Sequence, residues 1–229
     1  MYCCIWVIII LHQVLLVSLE VCVSVSMLVA HRVSRLKRGT PFSIEGFYSL
    51  GTTTSVQKAM SRLAKEETII RVAKGIYSRP KPLKSIPSIK ITAKAEDVAK
   101  TWARTHHYKM APQGLEAAYR LGMQTQAPMK SVYWTTGPTR EFKVGNEVVQ
   151  VHHTAKSKLQ WENKPEGTLF RGLLALSPKH TSESLLKNAL TRLQLTESET
   201  FKVIAKLQKN AMLTMWKRKL ENVERSLLS

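Results

Sequence analysis

Apolar residues recur along this chain at two spacings, and each spacing predicts an element. Val56, Ala59, Met60 and Leu63 fall at i, i+3, i+4 and i+7. That stripe turns one face of a helix, running from Ser55 to Lys65 or Glu66, toward a core. The opposite arc carries Thr54, Gln57, Lys58, Ser61, Arg62 and Lys65, with Thr53 just ahead of it. Solvated faces normally mix signs, yet this arc has hydroxyls, an amide and cations, and its first acids are Glu66 and Glu67 at the helix end. Upstream, Met27 to Arg38 reads as an amphipathic helix, and Ser43 as the N-cap of a short helix, Ile44–Leu50, closed by Gly51. Downstream, two β-prone runs flank Ala73-Lys74-Gly75, a hairpin turn whose glycine supplies a positive φ. A short helix, a second helix and a basic hairpin follow in the order of a winged helix-turn-helix.

Beyond the hairpin the pattern changes. Pro80, Pro82 and Pro87 break regular structure and predict an extended linker over 81–92. A helix is expected from Ala95 to His106, with Val98, Ala99 and Trp102 inward, and a shorter one over Leu115–Leu121. Strands are expected within 131–153, where Phe142/Val144 and Val149/Val151 alternate about Gly145-Asn146. The last third reads as helical: Leu185, Leu186, Ala189, Leu190 and Leu193 form one stripe, and Thr196 with Glu199 a capping box. These helices would close a core, form a dimer or hold a partner. The expected fold class is α+β, with a winged helix-turn-helix at 27–80, a small mixed α/β middle domain at 93–175 and a helical tail at 176–229.

Charge then narrows the function. The 229 residues hold 35 Lys+Arg against 16 Asp+Glu, a formal net charge of +19, and such a field attracts polyanions. Between His31 and Lys84 there are 12 Lys+Arg and 3 Asp+Glu, so the excess is dense where the winged helix is expected. Gln can bond an adenine edge, Arg or Lys a guanine edge, and hydroxyls can anchor phosphates. The expected contacts to double-stranded DNA are therefore Thr53, Thr54, Gln57, Lys58, Ser61, Arg62 and Lys65, with Lys74 at the wing tip and Arg71, Tyr77 and Arg79 beside it.

The first 26 residues stand apart. Met1 to Leu19 carry no charge, Glu20 interrupts the apolar run, and a basic flank begins at His31-Arg32. Residues 1–25 read either as a membrane anchor with its basic side in the cytoplasm or as an overextended reading frame ahead of a cytoplasmic protein. A buried helix is the third reading. The three cysteines, Cys3, Cys4 and Cys22, all lie here, which excludes a disulfide framework and any Cys-paired zinc site in the remainder.

No catalytic motif emerges, and neither an enzyme nor a cofactor nor a metal is expected. His-Glu-x-x-His, P-loop and Gly-x-Ser-x-Gly patterns are missing. Glu141-Phe142-Lys143 supplies the Glu-x-Lys half of a magnesium-dependent nuclease site, whose upstream acid would have to be Glu116 or Asp97. A membrane-tethered basic adaptor is the other alternative.

Several segments carry a family likeness. Gly-Thr-Pro-Phe-Ser (39–43), Phe-Tyr-Ser-Leu-Gly (47–51), Val-Gln-Lys-Ala-Met-Ser-Arg-Leu (56–63) and Ile-Arg-Val-Ala-Lys-Gly-Ile-Tyr-Ser-Arg-Pro (70–80) resemble the N-terminal domain of AbiEi-type antitoxins of bacterial type IV, abortive-infection toxin–antitoxin systems. Ala111-Pro112-Gln113-Gly114, Val132-Tyr133-Trp134-Thr135 and Gly137-Pro138-Thr139-Arg140 extend the likeness to about residue 153. The resemblance implies a transcriptional repressor acting on its own promoter, whose functional partner is a nucleotidyltransferase-like toxin, without requiring a direct complex.

Overall fold

The computed structural model describes residues 24–82 and 90–228. The apolar segment 1–23 and most of the expected linker, 83–89, lie outside the described residues. Among those described, no helix is long and apolar enough to cross a membrane.

The chain is a mixed α+β fold whose described residues form three apolar clusters. Helix α1, Val25–Ser34, begins earlier than the expected start at Met27, because the Ser24 hydroxyl caps it by accepting from the Met27 N–H. Strand β1, Pro41–Ser43, leads into Ile44–Leu50, which has the expected bounds but is a 3-10 helix capped by Ser43. Helix α2, Thr53–Lys65, follows, and then strands β2, Ile70–Ala73, and β3, Ile76–Ser78. The sheet order is β1-β3-β2, all antiparallel, so the strand before α2 pairs with the hairpin after it. Val29, Val33, Phe47, Val56, Met60 and Ile69 form the core beneath. Burying a side chain of this size contributes about 1.5–3 kcal/mol.

The 81–92 segment is less irregular than its prolines suggest, since β4, Lys81–Pro82, pairs with β5, Lys90–Ile91. Helix α3, Ala95–Thr105, buries Val98, Ala99 and Trp102 as expected and packs on β1 and β3. Strand β6, Met110–Pro112, and helix α4, Gly114–Arg120, precede β7, Ser131–Thr135, β8, Arg140–Val144, and β9, Glu147–His153. The sheet order is β6-β7-β9-β8, with β7 and β9 parallel. The β8–β9 hairpin returns through Gly145-Asn146 and inserts β9 between β7 and β8, so Gly137-Pro138-Thr139 must cross one strand position. Thr139 Oγ1 accepts from the His153 N–H at 3.0 Å and holds that crossing.

The C-terminal helices do not form a separate tail. Helix α5, Pro165–Ala175, packs along α4, and Ala118, Leu121 and Met123 share one core with Leu169, Phe170 and Leu173. Helices α6, Glu183–Arg192, α7, Glu197–Gln208, and α8, Lys217–Leu228, add Leu186, Ile204 and Leu220 to that core. The boundary expected at 175/176 therefore cuts through a single packed unit. The Thr196/Glu199 capping box is present, with the Glu199 carboxylate held below the usual range by bonds from the Thr196 N–H and hydroxyl.

Within α5, Arg171 is fully buried, with Nε and Nη1 lacking hydrogen-bond partners among the described residues. Nη2 donates to the Glu162 carbonyl at 3.5 Å, and burial pushes the guanidinium pKa down to about 10. An incompletely partnered buried charge is costly, and an apolar group of similar volume often serves better by up to about 4 kcal/mol. Arg171→Met should therefore hold or raise the denaturant midpoint. A clear loss of stability would show that the guanidinium has a stabilising role that these contacts do not explain.

Candidate nucleic-acid interface

Gly51 and Thr52 set the start of α2. A Cβ at residue 51 would stand 2.6 Å from the Val25 side chain, so glycine lets α1 close over the turn. Thr52 Oγ1 then accepts from the Ser55 N–H at 3.3 Å and caps the helix. With Val56, Ala59 and Met60 buried, the opposite arc is forced outward, and Thr53, Thr54, Gln57, Lys58, Ser61, Arg62 and Lys65 are all exposed. Lys74 and Gly75 make the hairpin turn, and Gly75 has φ 73°, a conformation glycine adopts without strain. Arg71 and Lys74 are exposed beside it. No carboxylate among the described residues lies within ion-pair distance of Lys58, Arg62, Lys65, Arg71 or Lys74; the ion pairs among them lie on α3, α4, α5 and α7.

Two of the expected contacts are placed differently. Tyr77 is half-buried, its ring 6.3 Å from that of Phe42 and nearly parallel to it, so one face packs on the core side. Arg79 turns away from the hairpin tip. Its Nη1 donates to the carbonyls of Ser34 and, at 2.7 Å, Leu36, pairing backbone oxygens left open at the end of α1. Arg38 donates to the Pro80 carbonyl at 3.1 Å and completes that seam. Arg79 is thus a structural cation, and no local pattern betrays it because its partners lie more than 40 positions away.

The fold also brings in residues that local sequence patterns do not place here. A cleft of about 770 Å³ lies between the α2 arc and the hairpin on one side and the middle module on the other. Gln57, Ser61 and Lys65 face it from α2, and Arg71, Lys74 and Tyr77 from the hairpin. Trp102 and His106, at the end of α3, and Arg140, at the start of β8, form the far wall. Arg140 sits over the Trp102 ring at 5.4 Å from its centroid, and His106 Nδ1 lies 2.9 Å from the Trp102 carbonyl. The signal available in the sequence was the Gly-Pro-Thr-Arg turn, whose arginine this fold carries to the cleft.

The acids of the nuclease alternative are not gathered. Glu141 Oε2 accepts from Gln150 at 3.1 Å, Glu116 is taken by Arg120 at 2.9 Å, and no group of three or more metal-binding side chains forms among the described residues. His153 Nδ1 lies 3.0 Å from the Gly137 carbonyl, which ties that ring to the β7–β8 crossing.

Comparison with known proteins gives a family and a distant structural likeness. Residues 28–201 match the model of a family described as a family of unknown function, DUF6088. The crystal structure of the RV2827C protein from Mycobacterium tuberculosis aligns at 12% identity over 87% of this chain and 80% of that one, with a TM-score of 0.39. No curated protein matches.

Loss of Arg79 should act on stability rather than on binding. Arg79→Ala leaves the Ser34 and Leu36 carbonyls without these donors, at a cost of about 1–3 kcal/mol, read as a lowered denaturant midpoint. Unchanged stability with weakened DNA binding would return Arg79 to the interface.

Proposed function

We propose that this chain, which belongs to the family of unknown function DUF6088, is a DNA-binding repressor whose residues 25–78 act as a winged helix-turn-helix. The observation that carries this reading is the α2 arc: an exposed run of hydroxyls, an amide and cations, with no carboxylate paired to it among the described residues, standing beside a basic hairpin. Such a helix offers bonds both to phosphates and to major-groove base edges. Thr53, Thr54, Gln57, Lys58, Ser61, Arg62 and Lys65 form the reading face, and Arg71 and Lys74 the wing contact. Because the AbiEi resemblance covers the same segments, the repressor is proposed to act on its own promoter and to serve as antitoxin to a nucleotidyltransferase-like toxin. It is read as a binding protein, not an enzyme.

Gel-shift titration of the full chain tests this reading. Its own promoter should be preferred over scrambled DNA at about 150 mM salt, where counterion release alone gives weak, sequence-blind binding. Arg62→Ala with Lys74→Ala should flatten the log–log salt dependence by about two, one for each phosphate no longer neutralised. Equal binding to both DNAs, or an unchanged slope in the double variant, refutes the assignment of this face. Antitoxicity is read separately: expressing the chain should restore growth arrested by a nucleotidyltransferase encoded in its operon.

A further inference from the structure

The α2 arc faces two ways. Gln57, Ser61 and Lys65 turn into the cleft, whereas Lys58 and Arg62 are outside its lining. A duplex lying on the outer shoulder of α2 would leave the cleft itself unfilled. At about 770 Å³ the cleft is far too small for a double helix, but it falls in the range of about 300–1,000 Å³ that holds one small molecule.

Its chemistry is selective. Four cations, Lys65, Arg71, Lys74 and Arg140, line it with a single carboxylate, Glu45. Arg140 has no carboxylate partner among the described residues, and its place over Trp102 orients the guanidinium before any ligand arrives. A pre-oriented side chain loses less freedom on binding. Ring surface lies beside these charges in half-buried Tyr48 and Tyr77 and exposed His106. Gln57 adds an amide, and Trp102, on the same wall, carries a buried indole N–H with no partner among the described residues. Cations that take phosphate, next to rings that stack a base, are the complement of a nucleotide.

We propose that this cleft binds a free nucleotide, with its phosphates among Arg71, Lys74 and Arg140 and its base against the aromatic surface. Gln57, Ser61, Lys65, Arg71 and Lys74 also belong to the proposed DNA face, so nucleotide and operator compete for these groups and the ligand weakens operator binding. Only this competition rests on the DNA-binding reading. The phosphate chemistry has a second source, a DNA backbone strand, and Arg140 separates the two because it lies outside the proposed DNA face.

Isothermal titration of the full chain with ATP, GTP and tripolyphosphate at matched ionic strength tests the site without DNA. At least one nucleotide should bind at one per chain, about tenfold tighter than tripolyphosphate. Arg140→Ala should weaken it by about tenfold or more, as loss of a charge-assisted bond implies, while DNA affinity stays within about twofold. Absence of nucleotide binding, or equal binding of tripolyphosphate, overturns the proposal whatever the DNA result. An equal loss of DNA affinity in Arg140→Ala also overturns it and gives the cleft to the DNA backbone. Nucleotide binding by a chain that fails to bind DNA upholds the site and refutes the repressor reading alone.

Discussion

Strand β3 is the constraint on which the arrangement depends, because its alternation serves two cores at once. Successive side chains of a strand point to opposite faces. Ile76 is buried in the middle core with Ala99, Trp102 and Phe142, whereas Tyr77 packs against the N-terminal core beside Phe42. Register with β1 on one side and β2 on the other leaves β3 no freedom to slip without reversing both assignments. Strand β3 therefore ties the hairpin to both the middle core and the N-terminal core. The cleft, with Arg140 on one wall and Lys74 on the other, follows from that double attachment.

Much of this was legible in the sequence, for reasons tied to particular residues. The α2 stripe is a local signal, since Val56, Ala59 and Met60 define a face by spacing alone and Thr52 and Gly51 mark where the helix starts. The 145–146 turn and the inward Val149 and Val151 were readable because a hairpin is a short-range object. The parallel β7–β9 pair was not, because it joins strands with a third between them in sequence. Helix α5 escaped for a different reason: Leu169, Phe170, Arg171, Gly172 and Leu173 are all buried, so no polar face marks its period. Arg79 and Arg140 looked like any other basic residue, and their separate roles depend on partners far along the chain.

The charge balance has a structural counterpart. Cations that pair with acids, such as Lys100 with Glu96 at 2.7 Å and Lys206 with Glu166 at 2.8 Å, lie on the middle and C-terminal helices. An exposed pair such as Lys100 with Glu96 contributes about 0–1 kcal/mol, so a fold without such pairs on α2 and the hairpin is little the weaker. What changes is the surface potential. An arc of like cations repels itself and is relieved by any anion that arrives, which makes anion binding favourable before any specific contact forms.

That field cannot choose a sequence or a ligand. Counterion release is blind to base identity, and a chain at +19 has it in excess. On the proposed reading, discrimination comes from directed hydrogen bonds to base edges; besides Arg62 and Lys65, the uncharged Thr54, Gln57 and Ser61 supply them, and they fail when the opposing edge is wrong. Two of these uncharged three, Gln57 and Ser61, sit on the shoulder that turns into the cleft. A ligand held there need not displace the whole duplex. By occupying the groups that read bases it would remove specificity first and leave the outer cations holding phosphate, so a repressor so modulated would drift from its operator onto bulk DNA before leaving DNA altogether.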